Sequence, residues 1–281
     1  MNILTFDIEE WFHCDFISDS STWINYEVRI HGATDLILET LDERKIKGTF
    51  FILGWIAEKY PEVIKKISNY GHEIGCHSYM HELVHRMDFK SFKQDTEYSL
   101  KLLEDITGER INSYRAPGFS ITENNVWAFE VLAELGIEKD CSVFPSNHDY
   151  GGFPSFGECL PSIIDINGYK LKEFPMNIVS VLNKHIVFSG GGFFRIMPYF
   201  FIKHWTNKSD YVISYFHPRD FDFNQPMLGH LPFLRKFKSY VGLKRAYPKF
   251  LRWITDFQVL SLGEASKQID WNKAKIISIR L

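Results

Sequence analysis

Three evenly spaced histidines mark the segment best suited to bind a metal ion. The segment GHEIGCHSYMHELVH at 71–85 contains His77, His81 and His85, each four residues after the last. If His77 and His81 lie on a helical turn, this spacing places them on one face. Two imidazoles arranged in this way can fill two corners of a tetrahedral zinc site, which a carboxylate and a water can complete.

The opening segment TFDIEEWFH at 5–13 supplies carboxylates for such a site. A β-strand alternates its side chains, so we expect Asp7 and Glu9 on one side and Glu10 on the other. Two carboxylates that converge on one pocket favour a cation beside them. The alternative interpretation is that they cap a neighbouring helix or pair with an arginine.

Three further candidates follow predicted strands or turns later in the chain. Arg115 begins the loop segment RAPGF, where it could hold a catalytic carboxylate or a substrate anion. His217 ends the apolar run VISYF and is a candidate general acid. Asp140, in DCSVFP, is a candidate partner that orients His217. Taken singly, Arg115 could also be an ordinary surface arginine, and His217 a core histidine whose hydrogen bonds are satisfied.

The elements that position these residues alternate between strand-like and helix-like patterns. Strand patterns occur at 3–8, 48–54, 72–77 and 111–119, and helical patterns at 34–45, 57–71, 91–108 and after Thr122. Later patterns predict a hairpin around Asn167-Gly168, a strand at 212–216, a helix at 244–257 that Pro248 could break, and a last strand at 258–262. The early order predicts parallel strands covered by helices, with chemistry at the carboxyl ends of the strands, in one domain over residues 1–281.

Composition narrows the possible partners and location. Hydrophobic residues make up 45% of the chain and charged residues 24%, which predicts a packed globular protein. The formal net charge of −3 gives no electrostatic reason to expect a nucleic acid partner. No apolar stretch approaches the ~18 residues that span a membrane. The N-terminus has no secretory-signal pattern, so we expect a cytoplasmic protein without a membrane span.

The order of these motifs resembles that of the polysaccharide deacetylase family, which is also known as the NodB-like homology domain or carbohydrate esterase family four. The segments that carry the resemblance lie within residues 3–220: TFDIEEWFH, GHEIGCHSYMHE, YRAPGFS, the His148-Asp149-Tyr150-Gly151 loop and FSGGGFFR. They look like the branch that includes exosortase-associated and cytoplasmic peptidoglycan-deacetylase-like proteins. The resemblance implies an α/β fold, namely a distorted (β/α) barrel of about seven parallel strands.

The resemblance also implies the ligands of the metal. Asp7 would be the catalytic base, and Glu9, His77 and His81 would bind Zn²⁺ or another divalent ion. Typical members carry two adjacent aspartates in the first motif, whereas this chain has Asp7-Ile8-Glu9-Glu10. Strand alternation favours Glu9 as the ligand, and Glu10 stays the second candidate.

The remaining roles complete a mechanism for amide hydrolysis. Arg115 would hold Asp7 in place and ionised, and a backbone N–H near Phe119 would help hold the oxyanion. His217, steadied by Asp140, would protonate the leaving amine. The candidates that line the sugar subsite are Trp11, His13 and Arg195.

The predicted function is therefore metal-dependent removal of N-acetyl groups from an amino sugar in a polysaccharide, an oligosaccharide or its activated precursor. One alternative is a zinc peptidase that uses His81-Glu82-x-x-His85 with Glu82 as base. A second is a non-catalytic sugar-binding barrel, and amide hydrolysis of the allantoin type also stays open. The sequence leaves undetermined the sugar, the metal, the oligomeric state and the role of residues 221–240.

Overall fold

A largely parallel sheet organises the chain. The computed structural model describes residues 1–13, 17, 20–147, 150–181, 184–229 and 231–280, so His148 and Asp149 of the predicted loop lie outside the described residues. The strands are β1 Asn2–Ile3, β2 Thr5–Ile8, β3 Thr49–Ile52, β4 Glu73–Cys76, β5 Ser113–Tyr114, β6 Lys139–Asp140, β7 Ser162–Ile166, β8 Tyr169–Glu173, β9 Val179–Val181, β10 Lys184–Ile186, β11 Val212–Ile213 and β12 Lys275–Ile279.

Helices follow most of these strands. They are α1 Ile30–Glu43, α2 Gly54–Lys59, α3 Pro61–Asn69, α4 Phe89–Thr107, α5 Trp127–Glu134, α6 Gly191–Ile196, α7 Tyr199–Lys208, α8 Pro218–Phe221, α9 Phe233–Tyr240, α10 Leu243–Asp256 and α11 Leu262–Gln268. Among the described residues, no helix combines the length and the apolar character needed to cross a bilayer.

The strand order brings the candidate residues to one edge. The main sheet has the order β12-β7-β8-β6-β5-β4-β3-β2, and its neighbours are parallel except for the β7–β8 hairpin. Beyond β2, Phe6 forms a parallel bridge with Phe216, and β1 pairs in parallel with β11. The carboxyl ends of β2, β4, β5 and the strand that leads into His217 therefore meet. The predicted α/β class is confirmed, and the single domain over residues 1–281 stays a prediction.

Aromatic packing fixes β2 against the strand before His217. Phe6 stacks on Phe50 with ring centroids 4.8 Å apart, and Phe216 meets the edge of Phe250 at 5.3 Å. All four side chains are buried. Because close-packed cores resist displacement, this cluster holds the site-bearing ends of both strands in register.

Local sequence signals explain several boundaries. The predicted hairpin is confirmed: Asn167 and Gly168 adopt φ of +50° and +87°, the left-handed pair that a tight two-residue turn requires. Helix α4 begins at Phe89, two residues before the helical pattern predicted at 91–108, because Asp88 is the N-cap and accepts the Ser91 N–H at 2.7 Å. Gly108, at φ +72°, ends that helix as predicted.

Two predictions about the elements are wrong, whereas the helix predicted at 244–257 is confirmed. Residues 57–71 form parts of two helices, because Pro61 starts α3 at its first turn. Pro248 lies inside α10 without breaking it, because the burial of Phe250 and Trp253 on the apolar face of the helix outweighs the loss of one backbone hydrogen bond. Residues 258–262 contribute only an isolated bridge at Leu260, and the last strand is β12.

Candidate metal centre and active site

One carboxylate and two imidazoles meet at the edge of the sheet. Glu9 directly follows β2 and His77 directly follows β4, and His81 lies in the next loop. The potential ligand atoms of these three residues all lie within 4.8 Å of one another. Glu9 Oε2 is 2.8 Å from His81 Nε2. Glu9 and His77 are buried and His81 is half-buried, so the cluster has one partly open side.

A backbone carbonyl orients the first imidazole. His77 Nδ1 lies 2.8 Å from the carbonyl oxygen of Arg115, to which it donates. This contact assigns the proton to Nδ1 and leaves Nε2 with a lone pair for a cation. The loop after β5 therefore determines which nitrogen of His77 faces the cluster.

The two histidines do not share a helical turn, so that prediction is wrong. Ser78 and His81 have φ of +63° and +56°, and the loop turns back through two left-handed residues. The His81 N–H donates to Ser78 Oγ at 3.1 Å, and the Tyr79 N–H donates to Asp95 Oδ2 at 2.8 Å. Left-handed conformations at residues other than glycine cost about 1 kcal/mol or more, and they concentrate at functional sites.

The neighbouring acids Glu9 and Glu10 have different environments. Glu10 Oε1 accepts the backbone N–H groups of Arg29 at 2.6 Å and Ile30 at 2.7 Å, so this carboxylate caps the start of α1. Burial raises the pKa of Glu9, but the adjacent His81 outweighs it and holds that pKa well below the usual range. Glu9 is thus an anion that faces the imidazoles, which agrees with the strand-alternation argument for it as the ligand.

A buried arginine holds the carboxylate of Asp7. Arg115 Nη1 donates to Asp7 Oδ1 and to Thr5 Oγ1, both at 2.7 Å. The guanidinium is fully buried and lies 4.3 Å from the centroid of the Phe51 ring. A buried arginine stays charged, so its contact holds the Asp7 carboxyl group in a defined orientation.

His217 faces both carboxylates of the opening strand. Its Nε2 lies 3.8 Å from Asp7 Oδ2 and 3.7 Å from Glu9 Oε1. Its Nδ1 lies 3.2 Å from Asp220 Oδ2. Burial lowers the pKa of His217, but the Asp220 hydrogen bond and the charge of Glu9 outweigh it and raise the pKa to about 9. A histidine that carries a proton beside a catalytic pocket can act as a general acid.

Asp220, and not Asp140, is the partner of His217. Asp140 ends β6, where it accepts Ser142 Oγ–H at 2.6 Å and lies opposite Glu173 of β8. Asp220 lies in α8, and its Oδ2 also accepts the His217 backbone N–H at 3.0 Å. The role predicted for Asp140 is therefore wrong. The signal for Asp220 was present locally: His-Pro-x-Asp is a helix start with Pro at the first helical position and an acid in the first turn.

Two of the residues predicted to line the sugar subsite are core residues. Trp11 is buried and its Nε1 donates to the Glu27 carbonyl at 2.9 Å. His13 is buried against Trp23 at a ring distance of 4.2 Å, and burial lowers its pKa to about 3. Since neither side chain reaches the surface, neither is placed to stack on a sugar ring.

Arg195 and Phe119 also differ from their predicted roles. Arg195 is buried and its Nε lies 3.3 Å from Asp220 Oδ1, so it supports the partner of His217. The Phe119 N–H donates to the Ala116 carbonyl at 3.1 Å, so the backbone N–H of Phe119 itself is already engaged within its turn. The Phe119 ring lies 5.8 Å from the guanidinium carbon of Arg115 and packs beside the site.

The peptidase motif does not form a metal site in the described part of the chain. His85 is exposed in a short 3₁₀ turn, Val84–Arg86, and is absent from the cluster of potential ligands. A His-Glu-x-x-His site needs both histidines on one face of a continuous helix. His81 lies in an irregular loop instead, so this alternative is wrong.

Known proteins resemble the chain in two segments. Residues 4–139 match the family model for polysaccharide deacetylase, and residues 141–267 match a domain of unknown function, DUF3473. A peptidoglycan-N-acetylglucosamine deacetylase of Bacillus cereus is 35% identical over 98 residues, which cover 34% of this chain and 36% of that protein. Chitin deacetylase 1 of Cryptococcus neoformans is 26% identical over 120 residues, 42% of this chain and 25% of that protein. The match thus spans about a third or less of these relatives.

Solved structures show the same fold. A crystal structure from Mycobacterium smegmatis, of a protein assigned to the polysaccharide deacetylases, aligns with a TM-score of 0.66 at 19% identity, over 99% of this chain and 93% of that one. A carbohydrate esterase family four pseudoenzyme from Bacillus anthracis aligns with a TM-score of 0.50 at 13% identity, over 100% of this chain and 69% of that one. The predicted distorted (β/α) barrel is therefore confirmed, and the predicted resemblance to the polysaccharide deacetylases is confirmed over residues 4–139.

Proposed function

We propose that the protein is a metal-dependent hydrolase that removes N-acetyl groups from the amino sugars of a carbohydrate. The observation that carries the proposal is the convergence of Asp7 and His217 on the Glu9–His77–His81 cluster, with His217 Nε2 under 4 Å from both carboxylates. The names of the relatives, which are peptidoglycan and chitin deacetylases, support the same reaction and substrate class.

The ligand cluster fits a divalent cation. One carboxylate and two neutral imidazoles form a common donor set of catalytic zinc sites, which keep a further position open. His77 presents Nε2 because its Nδ1 is engaged, and Glu9 is anionic because its pKa is held low. A bound Zn²⁺ or similar ion would supply Lewis acidity to the acetyl carbonyl and to water.

The residues of the chain itself would move the protons. Asp7, fixed by Arg115, would accept the proton of the attacking water. His217 would donate the proton of its Nε2 to the amide nitrogen, because the amine is a poor leaving group without that proton. Asp220 keeps that imidazole protonated and turned toward Asp7 and Glu9.

A non-catalytic sugar-binding barrel is the competing interpretation, because the fold also occurs in a pseudoenzyme. A binding protein has no need for both a base and an acid beside one cation site. In this chain Arg115 and Asp220 hold both groups in defined orientations. This second layer of contacts favours catalysis.

Acetate release tests the proposal directly. N-acetylated chitooligosaccharides and sugar nucleotides are incubated with the zinc-loaded protein, and bound metal is measured by elemental analysis. We expect Asp7→Asn to keep its metal and to lose about 10²–10⁴-fold in kcat/KM. His77→Ala should lose both, and His85→Ala, the matched control, should lose neither. Stoichiometric metal without acetate release from any amino sugar would favour the sugar-binding interpretation.

A further inference from the structure

Helix α9 presents its apolar side chains to solvent. Phe233 is 80% exposed, Leu234 71% and Phe237 47%. All eight residues of the helix are exposed or half-buried. An ordinary surface helix turns its apolar stripe toward the core and its polar face outward. This helix buries none of its residues, so its apolar side chains are available to something outside the chain.

Neighbouring segments extend this stripe. Arg195 of α6 donates to the carbonyls of Lys238 and Ser239, and the Leu228 N–H donates to the Tyr240 hydroxyl, so α6, the loop before α9 and α9 are adjacent. Both neighbouring segments expose large apolar side chains as well. Together these residues form the apolar patch, which consists of Phe193, Phe223, Met227, Phe233, Leu234 and Phe237.

The chain segment that contains most of the apolar patch carries charge of one sign. Residues 223–255 contain seven Lys or Arg and no Asp or Glu, in a chain whose formal net charge is −3. The cations in this stretch are Arg235, Lys236, Lys238, Lys244, Arg245, Lys249 and Arg252. Because a two-fold dimer would bring this basic segment against its own copy, like charges oppose self-association here. An anionic surface with an apolar interior complements both features.

The apolar patch is connected to the proposed general acid. The Arg195 guanidinium contacts the two α9 carbonyls on one side and lies 3.3 Å from Asp220 on the other. Asp220 in turn lies 3.2 Å from His217 Nδ1. Two side chains thus separate α9 from the active site.

We propose that α9 and the apolar patch dock the protein on an anionic lipid bilayer, with the apolar side chains in the interface and the basic residues of this segment at the headgroups. Lys249 is excluded from this role, because its Nζ donates to the backbone carbonyls of Phe194, Arg195 and Met197. Amphipathic helices of this composition lie in the plane of a membrane surface. The docking site is independent of the proposed function. A consequence that rests on the proposed function is that the amino sugar substrate is carried at the membrane surface.

Vesicle flotation tests the docking. Vesicles of mixed phosphatidylglycerol and phosphatidylcholine should carry the protein upward in a density gradient, whereas pure phosphatidylcholine should carry much less. We expect Phe233→Ser with Leu234→Ser to lower the partition coefficient at least about tenfold. Lys236→Glu with Lys244→Glu should abolish the preference for anionic lipid. Ile24→Ser removes an isoleucine that is 78% exposed elsewhere, so it is the matched control and should bind as wild type.

Three outcomes would overturn the docking proposal. They are failure of the wild type to float with anionic vesicles, an equal loss of binding in Ile24→Ser, and a dimer in sedimentation that dissociates in Phe233→Ser with Leu234→Ser. Acetate release from a soluble chitooligosaccharide is measured in parallel. It should be unchanged in the apolar-patch variant. If wild type floats but releases acetate from no soluble or lipid-linked N-acetylated amino sugar, the proposed hydrolase is rejected while the docking stays intact.

Discussion

Replacing Asp220 with asparagine isolates the contribution of this carboxylate to the proposed general acid. His217 must be protonated to donate, so activity is present below its pKa and is lost as the pH rises through it. Asp220 is among the groups that raise that pKa to about 9. Asparagine keeps an oxygen near Nδ1 but removes the charge, so the pKa should fall and the alkaline limb of the kcat/KM profile should move to lower pH.

The size of the expected shift in the pKa of His217 follows from its contact with Asp220. A hydrogen bond to a charged group contributes about 1.5–3 kcal/mol. The Nδ1–Oδ2 distance of 3.2 Å is longer than that of the strongest charge-assisted contacts, so the lower end of that range applies. At 1.36 kcal/mol per pKa unit, about 1.5 kcal/mol corresponds to a shift of about one unit.

The assay is acetate release from a chitooligosaccharide across the pH range, with the same metal in both proteins, so that the difference between them is the observable. Asp222→Asn is the matched control. Asp222 lies two residues further on and pairs with Arg29, so its removal should leave the alkaline limb in place. An unshifted limb in Asp220→Asn, or an equal shift in the control, would refute the assignment of Asp220 as the group that tunes His217.

Three further predictions test the site and its support. Glu9→Gln should lose stoichiometric zinc by elemental analysis, whereas Glu10→Gln should keep its zinc. Glu10→Gln should instead lose about 1 kcal/mol of unfolding free energy, because Glu10 caps α1. Zinc loss in both variants would count against Glu9 as the distinct ligand. Gly75→Ala should cost about 1–3 kcal/mol in denaturant unfolding, since the new Cβ would lie 2.6 Å from the Phe51 ring beneath Arg115; unchanged unfolding would show that this ring yields freely. His72 is buried and its pKa is lowered to about 4, so its contribution to stability is full above about pH 6.5 and is lost as the pH falls toward 4. The thermal midpoint should therefore drop less on acidification in His72→Leu than in wild type. An equal drop in both proteins would contradict this.

The parts of the site that follow from local rules could be predicted from the sequence. Alternation along β2 places Asp7 and Glu9 together and sends Glu10 away, and the structure shows this arrangement. The parallel order of strands places the residues that follow them at one edge. These inferences need only the pleat of a strand and the connection rules of α/β folds.

The partner of His217 required information that spacing does not contain. Asp140 and Asp220 both follow a strand-to-turn transition, and only the three-dimensional order of the strands shows that β6 lies away from His217. The loop between His77 and His81 posed the same difficulty. A spacing of four is compatible with a helical turn, but the left-handed conformations of Ser78 and His81 accompany contacts with Asp95 of α4 and within the loop itself.

The burial of Trp11, His13 and Arg195 shows a further limit of sequence reasoning. Each lies within a motif that carries the family resemblance, and each has a chemical type that suits a sugar subsite. Trp11 and His13 instead pack in the core, and Arg195 supports the site through Asp220. Membership of such a motif therefore does not predict access to substrate.

Two carboxylates, two residues apart on one strand, receive different tasks from their surroundings. Asp7 is fixed by a buried guanidinium on one oxygen and leaves the other oxygen toward His217. Glu9 lies against the imidazole of His81 and faces His217 with its second oxygen. Environment rather than residue type separates a base from a ligand in such pairs. Exchanging the residues, as Asp7→Glu with Glu9→Asp, keeps both charges but moves each carboxylate by about one methylene. If position sets the roles, this variant should bind metal more weakly and lose activity further than metal loading explains.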